Sequence, residues 1–427
     1  MTSQTILQRQ LSRGALAAIA LNGLIGAGIF ALPAAAANQL SYFSPWMFLL
    51  CALLMLPIVA SFALLAKQFD QTGGPILYAS KAFSPFVGFQ TGWLLYIGRM
   101  TALAANGHAI ALYLSLFFPQ LADSTIAGPF VCFVILVLAV LNILGIKSAM
   151  NSMLIITALK LLPIFLLVGF GVTYIQVPEL LAARAPELTE WPGALLLLIY
   201  AFIGFEGALI PAGEAKSPKK DLPKALILTL VFSAVLYFLI QAVVVSTLSE
   251  PFATKTPLAD SAQLISNDLG ITGGAQLMLI AAVISIFGNL LALMLAAPRM
   301  TFAMAEQKQM PIWFAQLHSK YQTPVNSILF LSGTAMLLAL TGGFVWLAIF
   351  SSLARLLGYL ICILALPVLH NKDKVSSTWQ VLLCSISAAM ACIWLITQAN
   401  AKSWLFLGLF IICGSVFYWI ESRKIQN

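Results

Sequence analysis

Charge is what this sequence has least of. Only 8% of its 427 residues are Asp, Glu, Lys or Arg, against about 25% in soluble domains. That is too few to cover a water-facing surface, so a soluble globular protein is excluded. Histidine occurs three times, and no Ser–His–Asp arrangement, Walker loop or metal-ligand cluster can be read from the spacing. No enzymatic chemistry, cofactor or metal is expected. The six cysteines (Cys51, Cys132, Cys362, Cys384, Cys392 and Cys413) fall inside apolar segments without paired spacing. They read as small buried hydrophobes, not as a disulfide frame.

What the chain does have is long hydrophobic runs. Hydrophobic residues make up 61% of it, and the mean hydropathy is +0.98. Crossing a bilayer core takes about 20 apolar residues. Twelve segments qualify, near 14–37, 44–66, 84–117, 126–146, 149–174, 192–212, 224–248, 273–297, 324–341, 344–369, 377–397 and 402–420. The first follows Arg9 and Arg13 and could imitate a signal peptide, but it is too long for one and many like it follow. Spanning backbone must satisfy its own hydrogen bonds, so an all-α integral membrane bundle is expected. The net charge of +8 reads as a bilayer signature and not as a nucleic-acid surface. With the N-terminus inside, sixteen basic residues fall on the cytoplasmic side, among them Arg9, Arg13, Lys147, Lys219, Lys220 and Lys374. The outer loops hold only Arg184, Lys255 and Lys402. Both termini are therefore expected in the cytoplasm.

Two spans carry a weak point. GLIGAGIFALP (Gly23–Pro33) has three glycines within six residues, and each costs a helix about 1 kcal/mol relative to alanine. YAFIGFEG (Tyr200–Gly207) interrupts the sixth span. Spans one and six each open a five-helix block, 14–174 and 192–369. An odd number of crossings inverts the second block, and two further helices (377–420) complete a single 1–427 transmembrane unit. Gly-interrupted helices at corresponding positions of two halves point to a transporter binding site. GAGIFA formally matches a dinucleotide fingerprint, but a helix precedes it and the next acid is Asp70, which excludes that reading. Tight packing through small residues is the competing explanation. The functional explanation is that the helix unwinds at Gly26, Ala27 and Gly28, freeing N–H groups beside a positive half-helix end, a cradle for a carboxylate.

Four charged residues lie deep inside spans: Arg99, Lys160, Arg355 and the single acid Glu206. A central charge costs about 2.5–3.5 kcal/mol on insertion scales, so each must face a partner or a water-filled cavity. Glu206 either pairs with one arginine as a structural bridge, or an arginine contacts substrate and favours an anionic or polar side chain. Glu206 is also a candidate proton carrier. Lys160 is too deep to snorkel easily, and a buried ammonium can load and release a proton as water access alternates. His108, Asn106 and Asn289 read as satisfied polar packing.

These stretches, with GGPILYASKAFSPFVGFQTGW (Gly73–Trp93), AFIGFEGALIPAGEAKSPKKDLPKAL (Ala201–Leu226) and APRMTFAMAEQKQMPIWFAQLHSKYQTPVNS (Ala297–Ser327), resemble the amino acid–polyamine–organocation transporters from end to end. The resemblance to this superfamily's bacterial amino acid permeases implies a twelve-helix, LeuT-like 5+5 inverted repeat with helices one and six unwound. It implies a substrate carboxylate at Ile25, Gly26, Ala27 and Gly28, and a substrate ammonium on the carbonyls of Tyr200, Ala201 and Ile203. Tyr200 would act as an aromatic gate. Lys160 matches the lysine that replaces a structural sodium between helices one, five and eight of sodium-independent relatives. Ser285 stands alone in helix eight, where sodium would want more oxygens. Arg99 stands where the family's arginine/agmatine antiporter carries an uncharged pocket residue, which weighs against a cationic substrate.

The expectation is a secondary active amino acid transporter of the bacterial inner membrane, monomeric or homodimeric. It would work by alternating access, independent of sodium, by proton coupling or exchange. The alternatives are an amine or polyamine antiporter, or an amino acid exporter, of the same fold. A receptor or channel is a further class, and two broken helices argue against it because they build an occludable site.

Overall fold

The computed structural model describes residues 11–145, 150–187, 191–248, 255–373 and 378–426. Arg9, Lys147 and Lys374 of the charge map lie outside the described residues. Among the described residues every element is helical, apart from one isolated parallel bridge between Leu11 and Ala215. The first span is split into α1 (Arg13–Leu24) and α2 (Gly28–Leu40). Then come α3 (Ser44–Ala66), the short α4 (Pro75–Ala82), α5 (Pro85–Leu114), α6 (Ser124–Ile143), α7 (Met150–Gly171) and α8 (Val177–Ala182). The sixth span begins as α9 (Trp191–Ile199) and continues through 3-10 turns at Tyr200–Phe202, Phe205–Leu209 and Ala212–Glu214. After it come α10 (Pro218–Thr247), α11 (Pro257–Asp268), α12 (Gly274–Glu306), α13 (Val325–Thr341), α14 (Phe344–Asp373), α15 (Thr378–Thr397) and α16 (Ala401–Gln426).

Among the described residues seven segments are long and apolar enough to cross a membrane, with shorter apolar helices at Lys160–Tyr174, Gly193–Leu209 and Val325–Thr341. The helix α5 is as long as most of those seven but falls outside them, because Arg99, Asn106 and His108 dilute its hydropathy. Its burial explains how it carries them. From Gly88 to Gly107 every residue of α5 is buried, with α12, α13, α14, α4 and α16 packed around it. The outer helices instead present leucine, isoleucine and phenylalanine outward, for example Leu53, Phe133, Leu383 and Leu409, all more than half exposed. An apolar exterior around a partly polar centre is what a hydrocarbon solvent selects. The short α11 was not anticipated by the hydropathy reading, which follows span length and misses a helix lying in a connection.

The two broken spans cross at backbone level. A Cβ on Gly23 would lie 2.5 Å from the Gly204 carbonyl oxygen, and one on Gly204 would lie 2.4 Å from that of Gly23. Gly204 also has φ +114°, a conformation that L side chains rarely adopt. The packing and unwinding explanations are thus divided between residues: Gly23 is there for close approach, while the break follows it. On the side of α1's N-terminus, main-chain bonds pin the end of the sixth span. The Leu11 amide donates to the Glu214 carbonyl (2.9 Å) and the Lys216 amide to the Leu11 carbonyl (3.0 Å). The Gly73 amide donates to the Ile210 carbonyl (3.1 Å), and Arg13 pairs with Asp221 at 3.0 Å.

Gly204→Ala is expected to destabilise the protein by about 3 kcal/mol, from backbone strain and overpacking together. Gly28→Ala, whose added Cβ would meet Ala201 at an ordinary 3.4 Å, is expected to fold normally. Thermal unfolding of both variants in detergent tests the contrast, and equal melting temperatures would refute it.

Candidate functional site

The break in the first span is built from three residues. Ile25 leaves the helix at φ −84° and ψ 80°, the Gly26 amide folds back onto the Leu24 carbonyl (3.0 Å), and α2 starts at Gly28. The unwound residues are Ile25–Ala27, one position earlier than expected. Among the described residues the N–H groups of Ala27, Gly28 and Ile29 find no acceptor. These are the orphan donors of a helix start, aligned with the positive end of its dipole. Gly26 keeps this face open, since a Cβ there would meet the Asn289 amide at 2.0 Å.

The sixth span answers with acceptors. Its α-helical part ends at Ile199, and Ile203 is extended (φ −98°, ψ 154°) before the turn at Gly204. The Ile203 carbonyl accepts no hydrogen bond among the described residues, and the Tyr200 carbonyl opens the 3-10 turn Tyr200–Phe202. The Ala201 carbonyl differs from its expected role: it already accepts from the Tyr237 hydroxyl at 3.2 Å, which also reaches the Leu24 carbonyl at 3.0 Å. Tyr237 therefore ties the two broken spans together.

Between the breaks lies a cavity of about 300 Å³. Gly26, Ala27, Gly28, Tyr200 and Ile203 line it, together with Arg99, Glu206 and Arg355. Ile25 and Ala201 stand behind its wall, fully buried. Asn106 and Asn289, expected as packing groups, also line the cavity, and Asn106 accepts from the Tyr200 hydroxyl at 2.8 Å. The Tyr200 ring stands edge-on to Phe344 at 6.0 Å. His108 rests on the Ala339 carbonyl (3.0 Å), away from the cavity. The lining extends through Ile19, Pro211 and Ala296, toward the end of the bundle where Leu11 meets Ala215.

The charges organise around Glu206. One carboxylate oxygen accepts from the Tyr359 hydroxyl (2.6 Å) and the Gly204 amide (3.0 Å), and the other faces the Arg355 guanidinium at 3.5 Å. The structural pairing weighed from sequence thus selects Arg355, which also donates to the Gly98 carbonyl at 3.4 Å. Arg99 keeps no carboxylate within salt-bridge distance among the described residues, and its one hydrogen bond goes to the Met300 thioether at 3.2 Å. Lys160, almost fully buried, donates to Asn22 (2.6 Å) and to the Ile25 carbonyl inside the break. Sequence reading missed Tyr237, Tyr359 and Asn22. Tyr359 did carry a signal, since it follows Arg355 by four residues and so shares its helix face.

Arg355→Ala leaves a buried carboxylate without its counter-charge and is expected to cost about 3–5 kcal/mol. Adding Glu206→Gln to Arg355→Ala is expected to recover most of that loss. Thermal unfolding of the single and double variants gives the coupling, and additive losses would refute the pairing.

Comparison with known proteins agrees with this architecture. The amino acid permease family matches residues 11–417. The chain is 24% identical, over a 438-residue alignment, to the branched-chain amino acid permease BcaP of Bacillus subtilis (strain 168), covering 98% of this chain and 94% of that one. It is 26% identical over 364 residues to an uncharacterised transporter of Mycobacterium tuberculosis (strain ATCC 25618 / H37Rv), covering 83% and 79% respectively. A counterpart in Mycobacterium bovis (strain ATCC BAA-935 / AF2122/97) matches to the same extent. A match over nearly the whole chain, on a multi-pass apolar helical bundle, makes this protein a member of the amino acid permease family.

Proposed function

We propose that the protein is a secondary active amino acid transporter working by alternating access, with the cavity between the two broken spans as its binding site. The observation that carries this is the pairing of unsatisfied groups. Orphan N–H groups at Ala27 and Gly28 and an orphan carbonyl at Ile203 bound one cavity, with the Tyr200 carbonyl at the start of its 3-10 turn beside them. A zwitterion satisfies both sets at once, its carboxylate on the amides and its ammonium on the carbonyls. A volume of about 300 Å³ lies at the small end for ligand sites, which suits a single amino acid. The arginines lining it disfavour an amine or polyamine, which would bring a cation without a carboxylate.

The reading extends to the whole bundle. The chain forms one transmembrane unit of twelve spans, a 5+5 inverted repeat (14–174 and 192–369) with two added helices (377–420). Both termini lie in the cytoplasm of a bacterial cell, and the bundle sits in the inner membrane as a monomer or homodimer. The lining at Ile19, Pro211 and Ala296 then opens the cavity toward the cytoplasm, and Tyr200 against Phe344 closes the outer side.

Transport is independent of sodium and coupled to protons or to exchange. The Lys160 ammonium holds the Ile25 carbonyl and Asn22, the work a bound cation would otherwise do, and a lysine can give up its proton where arginine cannot. Glu206, held by Tyr359, the Gly204 amide and Arg355, is the second candidate carrier.

In proteoliposomes, amino acid accumulation driven by a pH gradient is expected to persist when sodium is replaced by choline. Lys160→Met is expected to lose it by about tenfold or more. Strict sodium dependence would overturn the role given to Lys160. Absence of any amino acid flux would overturn the transporter reading itself.

A further inference from the structure

The electrostatics of the cavity name a substrate class, an inference that rests on the transporter reading above. Two guanidiniums, Arg99 and Arg355, and one carboxylate, Glu206, line the same cavity, and the Lys160 ammonium stands behind the wall at Asn22. Glu206 is committed: Tyr359, the Gly204 amide and Arg355 surround it. Its other oxygen faces Arg355 at 3.5 Å, and Arg99 lies beyond salt-bridge distance of it.

Arg99 is 7% exposed and permanently charged, with five N–H donors. Its one hydrogen bond among the described residues goes to a thioether, which is a weak acceptor. Such a group in a membrane protein needs water or an anion. While the cavity is open, water supplies it. When the cavity closes around cargo, that water leaves, and the guanidinium must find a partner inside or be left dry and unpaired. A zwitterion with an aliphatic side chain brings no such partner, because its one carboxylate is taken by the amides of α2 and its charges cancel.

We infer that the cargo carries a second carboxylate: the site is built for an acidic amino acid, with Arg99 receiving the side-chain carboxylate. Ala27 and Gly28 hold the α-carboxylate, Tyr200 and Ile203 the ammonium, and Arg99 the third point. The requirement acts at closure, so neutral cargo is rejected by the unpaired charge it would leave behind and not by lack of room.

Purified protein in proteoliposomes tests this by counterflow of radiolabelled L-glutamate, L-aspartate, L-leucine and L-arginine, each against its own unlabelled pool. Glutamate or aspartate is expected to exchange about 100-fold faster than leucine. Arg99→Gln is expected to lose that preference, and Arg99→Lys to keep part of it, since the charge remains and the fork is lost. In wild-type protein, glutamate and not leucine is expected to raise the melting temperature, a readout that survives if the Arg99 variants fail to fold. Rapid leucine, isoleucine or valine counterflow with none for the acidic amino acids would overturn this inference and leave the transporter reading standing. So would glutamate exchange unchanged in folded Arg99→Gln. No counterflow of any amino acid would overturn both.

Discussion

Everything at the centre of this protein depends on two polypeptide backbones meeting without side chains between them. Gly23 and Gly204 approach so closely that a methyl group on either would overlap the other's carbonyl. This contact forces the first and sixth spans together at the depth where both stop being α-helical. A helix that ends inside a bilayer must satisfy its terminal groups by other means. Part of that demand is met by protein. Tyr237 caps the Leu24 and Ala201 carbonyls, and Lys160 caps Ile25. The part left unmet faces the cavity, and it has the polarity pattern of an amino acid's common end.

The buried charges follow from the same constraint. Gly204 turns the chain so that Glu206, two residues on, accepts from the Gly204 amide and reaches Tyr359 and Arg355. A carboxylate at this depth is tolerable because three neighbours attend it. Arg355 and Tyr359, four residues apart on α14, deliver a charge and a hydrogen bond from one helix face. That pairing is why α14 lies against α5 near Gly98: a Cβ on Gly98 would collide with the Arg355 side chain, and Ser351 donates to the same Gly98 carbonyl at 2.7 Å. Arg99, the next residue, is thereby carried into the cavity wall, where its one hydrogen bond among the described residues goes to the Met300 thioether.

Family membership and the physical reading support one another without coinciding. A match across residues 11–417 assigns the chain to amino acid permeases. At 24% identity the branched-chain permease of Bacillus does not settle the side chain carried here. In this chain a buried arginine, Arg99, lines the cavity.

By itself the sequence determined the properties that are local. Scarcity of charge excluded water as the surrounding solvent, and apolar runs marked where helices lie. Glycine clusters marked where two of them break, to within one residue at Gly26. The rarity of ionisable groups in apolar runs singled out Arg99, Lys160, Glu206 and Arg355, since such residues persist there only with a partner or a function. Tertiary structure decided which groups meet. Glu206 and Tyr359 are 153 residues apart in the chain, and no periodicity predicts that Arg355 and not Arg99 pairs with Glu206. Nor could sequence show that Asn106 and Asn289 line the cavity while His108 does not, or that Tyr237 occupies the Ala201 carbonyl. Hydropathy and helix propensity are properties of a segment, whereas a hydrogen bond between segments depends on how the spans are rotated against each other. In the first span, that rotation is set by a glycine with no side chain to reveal it.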